Sequence, residues 1–270
     1  MTPPGPQDGA GSKAEARIRA ENASGAGALV GYLPIGYPDL ATSIEAAITL
    51  TQHGVDLLEL GLPYSDPVID GPTIQAATTV ALANGFRLRH AFEAVREITA
   101  ATEAPVLCMT YYNPVIAYGV DRFAADLAAA GGAGLITPDL VPEEAGEWLA
   151  ASEAHDLDRV FLAAPTSSEA RIRRATASSR GFTYVVSTMG ITGARSGVDA
   201  AARTLVDRLR AVTDRPLAVG IGISTGAQVA EVLTYADGAI VGSHLVTALG
   251  KGVDALADAA DALAEGTRRP

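Results

Sequence analysis

The chain has 270 residues, 48% of them hydrophobic and 5% aromatic, so it is long enough for one large domain with a sizeable core. Its net charge of −11 argues against the basic face that a nucleic-acid binder carries. A single cysteine, Cys108, excludes an intrachain disulfide and a paired-cysteine metal cluster.

In chain order, the first dozen residues are rich in Pro and Gly and read as a mobile tail. Ser12 to Asn22 reads as a short helix, with Ser12 as N-cap and Glu15 as its capping-box partner. Ala14 and Ile18 share one face of that helix. From Ala28 a unit repeats: a short apolar run, a turn, then an amphipathic stretch. The runs are 28–33, 55–60, 105–110, 133–137, 159–163, 182–186, 216–221 and 238–242. Most lack polar–apolar alternation, as parallel strands buried on both faces do. Helices are expected at 41–53, 71–83, 89–102, 121–130, 142–154, 169–178, 199–212, 225–235 and 253–264. Eight β–α units fit a (β/α)8 TIM barrel, which needs roughly 250 residues. An open doubly wound sheet is the alternative, but the turn after the first strand, PIGYPDL, is no dinucleotide fingerprint. The expected division is a tail and short helix over 1–22 and one barrel domain over 23–270. No run reaches the roughly 18 apolar residues of a membrane span, and no signal-peptide core stands at the N-terminus. Cytoplasmic residence is the expectation, with neither membrane nor nucleic acid as a partner.

The second unit reads VDLLELGLPYSDPVIDGPTIQ from Val55. Alternation puts Val55, Leu57 and Glu59 on one face and Leu58 and Leu60 on the other. Both faces of a barrel strand are buried, and an unpaired buried carboxylate costs several kcal/mol. Glu59 is therefore partnered by a base from another strand, protonated, or functional. It lies near the C-terminal end of its strand, where barrel enzymes keep their chemistry. Desolvation there raises a carboxyl pKa toward the range of a general acid–base. Asp66 and Asp70 follow in a Pro- and Gly-stiffened loop, each readable as a turn former or helix cap, or as a second acid.

Glycine-containing turns follow the last three strands: STMGITGARSG (187–197), GIGIS (220–224) and VGS (241–243). Glycine lets backbone amides approach an anion, and barrels often hold phosphate after strands seven and eight. Ser224 and Ser243 are candidate N-caps, and a bare turn and cap would use the same residues. The 187–197 loop reads as a substrate lid. Cys108 reads as core filler, Trp148 as packing against the core or a partner, and the four histidines lack ligand spacing. The only lysines, Lys13 and Lys251, stand away from strand ends, which disfavours Schiff-base chemistry.

Taken together, ELGLPYSDPVIDGPTIQ (59–75), MTYYNPVIAYG (109–119), GLITPDLVPEE (134–144), STMGITGAR (187–195), GIGIS and VGS resemble the α subunit of tryptophan synthase. The GLPYSDP version and the GYLPIGYPD start are similar to members from high-GC actinobacteria. The resemblance spans Ala28 to the last helix and implies cleavage of indole-3-glycerol phosphate to indole and glyceraldehyde 3-phosphate, without cofactor or metal. By resemblance, Glu59 matches the general acid–base and Asp70 the carboxylate that holds the indole N–H. Tyr184 matches a tyrosine beside the catalytic Glu, and Tyr32, often Phe in the family, lines the indole pocket. Thr192 matches a lid threonine that meets the loop aspartate on closure. Gly193, Gly222, Gly242 and Ser243 match the phosphate cradle. The chain departs at Pro34-Ile35-Gly36-Tyr37, where some members have Thr-Ala-Gly-Asp, and at Thr188, where some have Arg. The resemblance also implies a partner, a pyridoxal-phosphate β subunit in an α2β2 assembly, so that pyridoxal phosphate belongs to the partner. Asp66, Asn113, Pro114 and Asp139 are expected on loops where the family meets that partner. Another sugar-phosphate barrel, a regulatory subunit without activity, and a stand-alone lyase are the competing readings.

Overall fold

A computed structural model describes residues 11–187, 195–220 and 222–268, with backbone alone for 195–199. Its strands are β1 (Ala28–Pro34), β2 (Leu57–Gly61), β3 (Val106–Met109), β4 (Gly134–Ile136), β5 (Asp158–Val160), β6 (Leu162–Ala163), β7 (Thr183–Val186), β8 (Leu217–Gly220) and β9 (Gly238–Val241). Every neighbouring pair is parallel, in the order β5-β4-β3-β2-β1-β9-β8-β7-β6. The two ends of that order, β5 and β6, are separated in sequence by Phe161 alone. They are one strand interrupted at a single residue, so the sheet closes on itself. The result is the expected eight-stranded β/α barrel, with its strand-rich segments where the apolar runs lie.

The helices are α1 (Lys13–Ala23), α2 (Leu40–Gln52), α3 (Pro72–Ala83), α4 (Leu88–Ala101), α5 (Tyr112–Tyr118), α6 (Val120–Ala129), α7 (Gly146–Ala154), α8 (Glu169–Ser178), α9 (Arg195–Arg210), α10 (Gly226–Leu233), α11 (Ser243–Leu249) and α12 (Val253–Ala264). The segment expected as one helix over 142–154 is split. Pro142–Glu144 forms a 3-10 turn, and α7 starts after Ala145. The helix expected from Asp199 starts at Arg195, inside the stretch read as a lid. No helix among the described residues is long and apolar enough to cross a membrane.

Alternation divides the strands between two apolar layers. Val30, Leu57, Leu107, Val160, Phe182, Ala218 and Ile240 fill the barrel interior. Leu29, Leu58, Leu60, Cys108, Val185, Val219 and Val241 pack outward against the helices. Val55 differs from expectation. It belongs to the outer layer, because β2 begins only at Leu57 and the alternation does not reach back to it. Trp148, on α7, is wholly buried with its ring 6.5 Å from that of Phe123, so it serves the core.

Helix α1 closes the N-terminal end of the barrel. Ala14 and Ile18 join the interior layer and are fully buried. Ser12 caps the helix, its hydroxyl accepting the Glu15 amide at 3.0 Å. The Glu15 carboxylate engages Arg19 and Arg215. Buried Asp158 accepts the Ala14 amide at 3.0 Å, and Asp56 takes Arg17 at 2.8 Å and the Leu29 amide at 2.9 Å. The opposite end is left to the strand-end loops.

Candidate active site

Glu59 stands two residues before the end of β2, in register with Tyr32 on one side and Leu107 on the other. Its side chain is 1% exposed, and its Oε2 has no hydrogen-bond partner. No ion pair to it occurs among the described residues. Burial pushes its pKa from 4.5 up to about 8, and the charge of Asp70 adds to the rise. Two of the three readings of this residue thus narrow: no base neutralises it, and near neutral pH it holds its proton.

Two glycines shape the space around it. A Cβ on Gly61 or on Gly220 would collide with the hydroxyl of Tyr32 or Tyr184 respectively. Each tyrosine therefore reaches across the end of the neighbouring strand because that strand has no side chain there. Both phenols lie buried and are held well above their ordinary pKa, chiefly by desolvation. Asp70 and then Glu59 add to the rise at Tyr32, and Glu59 and then Tyr32 add to it at Tyr184. Tyr32 and Tyr184 thus lie near Glu59 in a weakly solvated chamber at the C-terminal end of the barrel, within reach of the charge of Asp70.

Asp70 sits on the loop between β2 and α3, half-buried, with its pKa raised by burial. It does not cap α3: Gly71 holds the N-cap position and Pro72 the first turn. Its backbone carbonyl accepts from Gln75 Nε2 at 2.8 Å. Across the mouth, the Tyr111 hydroxyl accepts the Ile69 amide at 2.9 Å, and its ring lies 5.2 Å from that of Tyr64. Asp139 accepts the Tyr112 amide at 2.9 and 3.2 Å, anchoring the start of α5. Asn113 and Pro114, expected on a loop, lie on that helix, and Asn113 Nδ2 donates to Tyr64 at 3.3 Å. Asp66 is on an exposed loop and accepts from Ser65 Oγ at 2.6 Å.

The glycine-rich turns occupy the other side of the mouth. Gly222 takes φ 91°, open to glycine and strained for other residues. Gly242 is the N-cap of α11 and Ser243 its first residue, so the first amides of that helix lack partners within it. Neither serine is an N-cap as expected. Thr225 caps α10, while the Ser224 amide and hydroxyl both donate to Gln228 Oε1 at 2.8 and 3.1 Å. A Cβ on Gly242 would stand 3.4 Å from the Tyr32 ring, so this turn leans on the chamber that holds Glu59. Thr188, Thr192 and Gly193 lie outside the described residues. Among those described, no group of three or more His, Cys, Asp or Glu is placed to hold a metal.

The sequence reading held Gly61, Gly220 and Gln75 only as parts of motifs and Tyr111 as a pocket wall or barrel cover, and missed the space the glycines leave and the tethers from Gln75 and Tyr111. The glycines had a signal, each standing at the C-terminal end of a strand. The Tyr111 tether had none, because 42 positions separate its partners.

Residues 18–269 match the family model for the tryptophan synthase alpha chain. The chain belongs to the tryptophan synthase alpha chain family. An alpha chain from Leifsonia xyli is 68% identical over 235 residues, covering 87% of this chain and 90% of the relative. One from Mycobacteroides abscessus is 53% identical over 100% of both. Among solved structures, a chain of Mycobacterium tuberculosis tryptophan synthase superposes with a TM-score of 0.92 at 51% identity, covering 96% of this chain and 100% of that one. A chain from the tryptophan synthase α2β2 complex of the hyperthermophile Pyrococcus furiosus gives 0.83 at 35% identity, covering 88% and 98%. The actinobacterial resemblance and the barrel are both borne out by these relatives of the alpha chain family.

Proposed function

We propose that this chain cleaves indole-3-glycerol phosphate to indole and glyceraldehyde 3-phosphate, as the alpha subunit of a cytoplasmic tryptophan synthase in L-tryptophan biosynthesis. Glu59, as the acid, gives its proton to indole C3. The ring becomes an indolenine cation whose N–H is held by Asp70. Glu59, now a carboxylate, takes the proton from the hydroxyl on the adjoining glycerol carbon. The bond between that carbon and C3 then breaks, the carbon becomes the aldehyde, and its electron pair returns to the indole ring. Glu59 ends protonated, ready for another turnover. Two carboxyls in unlike surroundings take unlike tasks.

Tyr184 flanks the acid, and the Tyr32 ring walls the indole. Gly222, Gly242 and Ser243, with Gly193 from the lid stretch, hold the phosphate, and Thr192 of that stretch meets the loop aspartate on closure. Indole is its own electron sink, so the reaction asks for no cofactor and no metal from this chain. Pyridoxal phosphate is the property of the β subunit with which it assembles as α2β2.

The observation that carries this reading is a buried glutamic acid with no cation beside it among the described residues and a second carboxyl, Asp70, near enough for its charge to be felt. Glu59→Gln keeps the shape and removes the proton carrier. Indole release is expected to fall by on the order of 10²–10⁴-fold, with and without added β subunit, while glycerol 3-phosphate still binds. A Gln variant that releases indole at the wild-type rate refutes the assignment.

A further inference from the structure

The loop that carries Asp70 has little to hold it down. Val68 is 83% exposed and Ile69 46%, so the two residues just before the aspartate have no apolar anchor. Polar tethers must set where its carboxyl sits. One is local: Gln75, in the first turns of α3, donates to the Asp70 and Pro67 carbonyls at 2.8 and 3.3 Å. Because Gln75 follows the loop directly, it moves with it. The second tether comes from the next β–α unit, where Tyr111 is the N-cap of α5. The Tyr111 hydroxyl accepts the Ile69 amide, next to Asp70, at 2.9 Å.

Tyr111 is itself well fixed. It is buried, and the next amide along is gripped by both oxygens of Asp139; its ring also meets Tyr64 on the loop itself. A continuous path therefore runs from the end of β4 through the start of α5 to the amide beside Asp70. We infer that Tyr111 is a positioning residue for Asp70, fixing the β2–α3 loop from across the barrel mouth. This inference rests on the lyase reading above. It assigns to a tyrosine hydroxyl, 42 positions from the Ile69 amide it holds, the placing of the charge that must meet the indole N–H.

Tyr111→Phe removes one oxygen and keeps the ring. Misplacing a reacting group by about 1 Å costs on the order of 10²-fold. The variant is therefore expected to lose indole release by roughly 10- to 100-fold in kcat. Affinity for glycerol 3-phosphate stays unchanged, since the glycine turns lie on the far side. The discriminating measurement is the double-variant cycle with Asp70→Asn. If Tyr111 acts through Asp70, adding Tyr111→Phe to Asp70→Asn costs nothing further, whereas a purely structural role multiplies the two losses and overturns the inference. Amide exchange gives an independent readout, also where the double variant is too slow to assay. In Tyr111→Phe the Ile69 amide should exchange faster while those of β2 keep their protection, and unchanged exchange at Ile69 overturns the inference as well. An Asp70→Asn variant with full activity would instead sink the lyase reading on which it stands.

Discussion

Glu59 occupies a position where an ionised group is expensive, and the fold offers it no counter-charge. Its pKa is about 8 in the folded chain against 4.5 in an open one. Between those values the folded chain keeps a proton that the unfolded chain has released. Stability therefore falls as pH rises from 4.5 to about 8, then levels off. Glu59→Gln carries no such loss. It should be more stable than wild type by a few kcal/mol at about pH 9 and equal to it at about pH 4. Denaturant midpoints at the two pH values measure this, and a Gln variant that gains nothing at high pH would show that Glu59 ionises as readily in the fold as in the open chain. The unusual setting of Glu59 was legible because a glutamate set between leucines in a buried strand must be neutralised or put to chemical use. Asp70 was half legible, since a cap and an acid read alike until Gly71 proves to be the cap. Tyr111 was illegible as a tether, because its partner is chosen by barrel closure and not by spacing along the chain.

At the level of elements, the strands were readable because parallel strands buried on both faces leave continuous apolar runs. The two short helices α5 and α11 were not. YNPVIAY places Asn and Pro in its first turn, where proline is tolerated but reads as a loop. SHLVTAL begins at a glycine turn, which reads as a loop and masks the short helix that follows. The capping serines failed for a related reason: a residue one place further along, or one place back, took the cap. Strand ends also carry a packing rule that the sequence states only as isolated glycines. Gly220→Ala would drive its methyl into the Tyr184 hydroxyl. Overpacking of this kind costs about 1–3 kcal/mol, and the displaced ring should slow indole release as well. Chemical denaturation and the release assay read both effects, and an unaltered midpoint would mean that Tyr184 can step aside without strain.

Across the whole molecule, the two ends of the barrel have different tasks. The N-terminal end is stoppered by α1 with apolar side chains and buried carboxylates, and the other end is given to loops that meet over Glu59. The closing strand is where this cylinder is thinnest. β6 contributes two paired positions to β7, Leu162 with Tyr184 and Ala163 with Val185, while β1 and β2 share five. A hoop fails first at its narrowest stave, and local opening follows the sparsest hydrogen bonding. Backbone exchange is expected to begin at this seam before it reaches β1 or β2. Uniform protection around the circumference would rule that out. Since Tyr184 is one of the two residues stitched across the gap, the tyrosine beside the acid is carried on the part of the wall most ready to breathe.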